Sequence, residues 1–303
     1  MNKLSDTRKK EVLGQIGLFA AAVFWGSSFP VSKAALEYFS PLFITMVRYL
    51  LGGIILGLVL NKRIFTITKK DFLGGAALGL VFYFAYVVQI IGLQYTASSK
   101  QSFLAALYVI AVPFLYWIVY KKRPDVYNFA AALLTIFGIY LLTATGPGGF
   151  NKGDLITVFS SVLYAVHIAA VGYLVKKMDP IVLTFLQTIV AGIIGLAACL
   201  IMERLPSEYP FTGVLAVLYL TVFCTIIAYG LQIVCQKYVS EMKTSIILSL
   251  EAVFGTLLSV IFLGDLFTVT MFIGCVVIFT GIMVSETKLK FLNNKIKINS
   301  GSK

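Results

Sequence analysis

Ten apolar runs, each about as long as a bilayer core is thick, fill almost all of this 303-residue chain: roughly 13–35, 41–60, 72–93, 98–120, 127–145, 154–175, 180–202, 211–235, 243–263 and 267–286. A helix needs about 20 consecutive apolar residues to cross hydrocarbon. Inside that layer every backbone polar group must bond within the structure, so such runs can only become a bundle of membrane helices. The expected fold is therefore all-α and polytopic. Charged residues make up 13% of the chain, against about 25% in soluble proteins. The net charge of +12 would suit nucleic acid, but the basic residues sit in the short gaps between runs, as they do beside membrane spans. Membrane lipids are the expected neighbours, and nucleic acid is not expected as a partner.

The gaps carry turn residues: Ser40-Pro41, Gly146-Pro147-Gly148-Gly149, Asp179-Pro180, Pro206 and Pro210. None is long enough for a soluble domain. The basic stretch Met1–Glu11 precedes a run too long for a signal-peptide core, so that run is read as an uncleaved first span. Cys199, Cys224, Cys235 and Cys275 all lie inside apolar runs without metal-like spacing and read as small packing residues.

The two halves repeat. Shifted by 143 positions, Tyr86 falls on Tyr229, Gln89 on Gln232, Tyr95 on Tyr238, Lys100 on Lys243 and Ser102 on Ser245, with eight identities in the 24 positions from Ala85 to Tyr108. Chance would give roughly two, because common residues each contribute about a tenth or less of ordinary composition. The first two spans of each half align at an offset of 139, which places Trp25 on Tyr164, Ser28 on His167, Pro41 on Pro180, Arg48 on Gln187 and Gly53 on Gly192. The change of offset implies an insertion around Glu203–Pro210.

Twenty Lys and Arg fall on the side of the N-terminus, among them Lys121–Arg123, and only Lys33, Lys100, Lys152 and Arg204 on the other. By the positive-inside rule both termini are cytoplasmic. Five spans per half is an odd number, so the second half must lie upside down relative to the first. The expected organisation is a first repeat over 13–146, an inverted second repeat over 153–286, and a basic cytoplasmic tail over 287–303.

Several motifs resemble those of one family. Trp25-Gly26-Ser27-Ser28-Phe29-Pro30 resembles the opening of the drug/metabolite transporter superfamily, EamA branch; Leu104–Val109 with Val112-Pro113 resembles its fourth span; and Glu251-Ala252-Val253-Phe254 with Gly264-Asp265 resembles its ninth span and exit. The resemblance covers nearly the whole chain. It implies a secondary transporter, often an exporter of amino acids or other metabolites, and names no substrate. The family usually has Pro where this chain has Ala252, which implies a straighter ninth span.

Polar residues within the spans need a reason, since a charge at the bilayer centre costs about 2.5–3.5 kcal/mol on insertion scales. Glu251 is the sole acid well inside a span, and His167 is the sole histidine. Both are candidates for proton coupling, and His167 also for substrate contact; each could equally be a hydrogen-bonded strut. Tyr83, Tyr86 and Gln89 in the third span, and Thr225, Tyr229 and Gln232 in the eighth, form stripes that should face inward. They line either a cavity shared by the repeats or interhelical contacts. Trp25, Ser28, Tyr108 and Tyr164 are expected to complete the walls, which suit a flat, apolar or cationic cargo. Pro30 should kink the first span. Arg48 is expected to pair with a carbonyl or to reach outward, with direct substrate binding as the alternative. Lys100 and Lys243 read as interfacial anchors, with a gating role as the alternative, and Gly52, Gly53 and Gly57 as close helix packing.

An enzyme would need a catalytic constellation. The chain has one histidine, no His–carboxylate pair at ligand spacing, no nucleophile-elbow motif and no P-loop. No cofactor is expected. The expected activity is alternating-access transport of a small metabolite, an amino acid or related amine, by export and with coupling through Glu251. Nucleoside-like or drug-like cargo, and a non-transporting scaffold or sensor, are the alternatives. The expected location is a bacterial inner membrane.

Overall fold

The computed structural model describes residues 2–121, 123–144, 149–175, 177–235, 238–239 and 241–288. The turn residues Gly146, Pro147 and Gly148, the basic positions Lys122, Lys176 and Lys237, and the tail from residue 289 onward lie outside the described residues, as does the side chain of Lys243. Twelve α-helices follow one another: α1 (Asn2–Ala35), α2 (Pro41–Leu60), α3 (Lys69–Tyr95), α4 (Ser98–Ala105), α5 (Tyr108–Tyr120), α6 (Val126–Ala144), α7 (Lys152–Leu174), α8 (Pro180–Met202), α9 (Phe211–Tyr219), α10 (Ala228–Cys235), α11 (Glu241–Leu263) and α12 (Val269–Thr287). A 3₁₀ turn, Asn61–Thr66, follows α2, and a π-helical segment, Leu220–Ile227, joins α9 to α10. Among the described residues nine helical stretches are long and apolar enough to cross a membrane, and a tenth apolar helix, Val269–Ser285, is shorter.

The helix starts follow local chemistry. Thr68 and Asp71, and likewise Asn151 and Asp154, form reciprocal capping boxes at α3 and α7. Asp179 accepts from the amides of Ile181 and Val182, with Pro180 at the first helical position. Glu203, just past α8, accepts from Ser40 Oγ and from the Phe43 amide at 3.2 Å, so a carboxylate from one half caps the start of α2 in the other.

Two of the ten expected spans are interrupted. The fourth breaks at Ala106-Leu107 into α4 and α5, where the chain tightens into i→i+3 hydrogen bonds. Pro113 in α5 withholds the donor that Val109 would have received four residues back. Its repeat counterpart, α11, runs unbroken through Ala252. Helix α1 likewise continues through Pro30.

Packing follows the repeat. The main pairs are α2 with α8, α6 with α12, α1 with α11, α3 with α7, α3 with α8, α4–α5 with α7, α4 with α11, α1 with α9–α10, and α2 with the π-helical segment. Exchanging each span for the one five places along carries this set into itself. The second and seventh spans, the fourth and ninth, and the fifth and tenth pair with their own images. The other pairs swap. Small residues let α2 and α8 cross closely. A Cβ on Gly192 would stand 2.5 Å from Leu50 Cα, and one on Gly53 would stand 2.7 Å from Ile189 Cα. These two glycines are repeat partners, and at both the facing backbone occupies the space a side chain would need.

At the end expected to face outward, Lys100 is not an interfacial anchor. Only Thr96 and Ala97 separate α3 from α4, so the first turn of α4 is tucked into the bundle. Lys100 and Asp154 are 2% and 0% exposed and lie 2.9 Å apart. Thr96 Oγ1 donates to the second oxygen of Asp154 at 2.5 Å. Lys33 Nζ donates to the carbonyls of Leu93 and Thr96 at 2.6 and 3.0 Å. The Ser99 amide donates to Asp265 at 2.9 Å, fastening α4 to the exit of α11.

Two expectations follow. Gly192→Ala overpacks the α2–α8 crossing and lowers stability by about 1–3 kcal/mol, whereas Gly230→Ala, with nothing within 4 Å of its added carbon, is neutral or slightly stabilising. Thermal unfolding of the purified variants measures both. Asp154→Leu leaves Lys100 buried without its acid partner and costs about 3–5 kcal/mol, while Lys100→Met/Asp154→Leu recovers part of that loss, the capping box and the Thr96 bond remaining lost; the same unfolding measurement checks it.

Candidate functional site

The site is assembled where α1, α2 and α3 of the first half meet α7 and the π-helical segment of the second. A π turn leaves carbonyls outside the ordinary i→i+4 ladder, and such turns concentrate at functional sites. Here the Cys224 carbonyl accepts from Trp25 Nε1 at 3.0 Å. Thr225 Oγ1 donates to the Leu220 carbonyl, five residues back, at 3.1 Å. The same hydroxyl accepts from Arg48 Nε at 2.8 Å. The π segment thus fixes one residue from α1 and one from α2.

Arg48 is 4% exposed. Its guanidinium carbon lies 4.5 Å from the centre of the Tyr86 ring and 5.4 Å from that of Tyr49, cation–π contacts that replace part of the lost hydration. The surrounding rings interlock: Tyr49 with Phe82 at 4.8 Å and with Tyr86 at 5.2 Å, Tyr229 with Trp25 at 5.0 Å and with Phe82 at 5.6 Å. The Tyr86 hydroxyl is buried and has no hydrogen-bond partner among the described residues.

On the α3–α7 side, Tyr164 donates to Gln89 Oε1 at 3.0 Å, and the Gln89 carbonyl accepts from Gln101 at 2.7 Å. A small cavity lies beside them, walled by Ser28, Ser32, Tyr86, Gln89 and Gln101. On the α11 side, Glu251 is 7% exposed and accepts from Tyr108 at 2.9 Å. These two residues are repeat images, 143 positions apart. Arg48 and Glu251 form no ion pair among the described residues. Tyr164 and Tyr229 are close enough to feel the charge of both.

The expected site residues therefore fall into groups. Trp25, Tyr86, Gln89, Tyr164 and Tyr229 come together around Arg48, and Tyr108 joins Glu251. Ser28 lines the small cavity, although its hydroxyl bonds the Trp25 carbonyl of its own helix at 2.6 Å. His167, 5% exposed, stacks on Phe82 at 4.9 Å and bonds Gln187 Oε1 at 2.9 Å. That amide oxygen can only accept, so Nε2 carries the proton, as a neutral imidazole provides. Gln232 is half-buried on α10 and has no hydrogen-bond partner among the described residues.

Tyr83 turns elsewhere. Steps of three residues fall about 60° short of a full helical turn, so over six residues the α3 stripe swings by about 120°. Tyr83 consequently lines a separate pocket of about 740 Å³ with Phe39, Val87, Gln94 and Glu203 at the end expected to face outward. Arg48 departs from expectation in the opposite sense. It neither pairs with a carbonyl nor reaches outward, because Thr225 and two tyrosines hold it in the bundle. Its repeat image, Gln187, offered a signal in the sequence: a mid-span position that is polar in both halves is expected to face the bundle interior.

The comparisons with known proteins agree with this architecture. The profile of the EamA-like transporter family matches residues 12–144 and again 151–287. A protein of Archaeoglobus fulgidus named as an uncharacterized transporter is 30% identical over 92% of this chain and 88% of its own length. An S-adenosylmethionine/S-adenosylhomocysteine transporter of Chlamydia muridarum is 28% identical over 71% of this chain and 73% of its own. A solved crystal structure shares the fold at 19% identity with a TM-score of 0.68, covering 93% of this chain and 99% of that one. This chain belongs to the EamA-like transporter family.

Proposed function

We propose that the protein exports a small metabolite, an amino acid or related amine, by alternating access around the Arg48–Tyr86–Tyr229 cluster. The observation that carries this reading is the position of the cluster. It draws on both halves, it is walled by aromatic rings, and it sets one cation and one acid at separate edges without pairing them. Binding where the two halves meet lets one site load on one side and release on the other. The units that rock are residues 13–146 and 153–286. The Chlamydia muridarum relative is named for cargo whose chemistry includes an amino-acid head group and a flat adenine, which fits the same walls.

Glu251 is the proton-coupling group in this reading, with Tyr108 orienting it. His167 is a second candidate on a supporting shell behind Phe82. Both termini are cytoplasmic, and the membrane is the inner membrane of a bacterium.

Reconstituted in proteoliposomes, the protein drives amino-acid efflux that responds to an imposed pH gradient. Glu251→Gln slows it at least about tenfold, equivalent to roughly 1.4 kcal/mol in the barrier, and removes its pH dependence. Undiminished transport by that variant, with or without a gradient, would exclude Glu251 from coupling. Orientation is checked separately: in whole cells, a cysteine placed at Arg123 resists an impermeant thiol reagent, whereas one placed at Arg204 reacts.

A further inference from the structure

We infer that Arg48 is a carboxylate anchor, so that the transported molecule carries a carboxylate against α2 and sets its remaining body along the tyrosine walls toward Glu251. This assignment deepens the transport reading and rests on it.

Three observations support it. First, a guanidinium has five N–H donors, and here only Nε is used, on Thr225. Neither terminal nitrogen has a hydrogen-bond partner among the described residues, although the side chain is 4% exposed. A buried cation without a counter-ion is expensive unless something else completes it. Cation–π contact with Tyr86 and Tyr49 covers the face of the group and leaves the hydrogen-bonding edge unused. Second, the Tyr86 hydroxyl beside it is also buried without a partner. A buried unbonded hydroxyl next to the unbonded edge of a guanidinium suits an acceptor with more than one oxygen. Third, no acid lies within ion-pair distance of Arg48 among the described residues, so no carboxylate there competes with a ligand for its edge.

The geometry favours carboxylate over phosphate. A guanidinium edge is a planar fork that matches the two oxygens of a carboxylate. A phosphate dianion would call for further cations, and the buried lysine Lys100 is taken by Asp154. Opposite the anchor, Glu251 accepts one hydrogen bond, on Oε1, and its Oε2 has no partner among the described residues. A zwitterion satisfies both edges: its carboxylate on Arg48, its cationic group toward Glu251, and its side chain against Trp25, Phe82 and Tyr229.

The test measures binding and transport by the purified full-length protein for L-phenylalanine, L-methionine and S-adenosylmethionine. Each is compared with its methyl ester and its decarboxylated amine. The free carboxylate should be preferred by roughly tenfold to a hundredfold, the worth of hydrogen bonds to a charged group. Arg48→Lys keeps a reduced preference, and Arg48→Gln brings acid and ester to within about twofold. Tyr86→Phe, which removes only the hydroxyl, lowers affinity for the acids and not for the esters; it keeps the inference testable should Arg48→Gln fail to fold. Preference that survives Arg48→Gln, or esters and amines that bind wild type as well as the acids do, overturns the anchor and leaves the transporter reading intact. Competition by inorganic phosphate equal to that of the acids also overturns the carboxylate assignment. Absence of binding and transport for every compound overturns both.

Discussion

A polar atom in hydrocarbon has no water to bond instead, and every unusual feature of this protein follows from how such atoms are satisfied. Where the chain could supply partners it did so across the two halves: Asp154 to Lys100, Glu203 to the start of α2, and the Cys224 carbonyl to Trp25. These contacts tie together helices whose apolar faces would otherwise slide, since lipid tails and leucines attract each other no differently. The unbonded terminal nitrogens of Arg48 and the unbonded Tyr86 hydroxyl adjoin one another; the hydroxyls of Ser99, Thr135, Thr188 and Thr244 are also buried without a partner among the described residues.

Much of this could be read from the residues in order. The spans follow from apolar length, and the repeat from matched Tyr86/Tyr229 and Gln89/Gln232. The membership of Trp25, Tyr164 and Gln89 in one cluster follows from the aromatic and amide residues that have no business facing lipid. Other features were hidden for identifiable reasons. The π segment has no residue signature: Leu220–Ile227 is as apolar as its neighbours, and only the backbone geometry distinguishes it. Lys100 reads as an anchor because it opens a span, and its burial depends on a two-residue connection whose direction composition does not encode. Arg48 was obscured by the ordinary rule that a long basic side chain reaches for water. That rule yields here to a hydroxyl and two rings brought in from other helices.

The halves match in sequence register more closely than in conformation. Span three is a regular helix, and its image, span eight, contains the π turn. Span four breaks before Tyr108, and its image, span nine, does not break at Glu251. Trp25 bonds a backbone carbonyl while its image, Tyr164, bonds a side chain. Two related repeats held in unequal shapes give the bundle one asymmetric state, and under the proposed alternating-access reading an exchange of shapes between the repeats would give its two-fold-related counterpart at the opposite face.

Such an exchange does not disturb every contact equally. Pairs that swap images, such as α1 with α11 against α4–α5 with α7, must loosen on one side as they tighten on the other. The crossing of α2 and α8 is its own image, and at its centre Gly53 and Gly192 bring bare backbone against backbone. In the proposed alternating-access cycle this crossing would act as a fulcrum, a place where the two halves can turn against each other while remaining in touch.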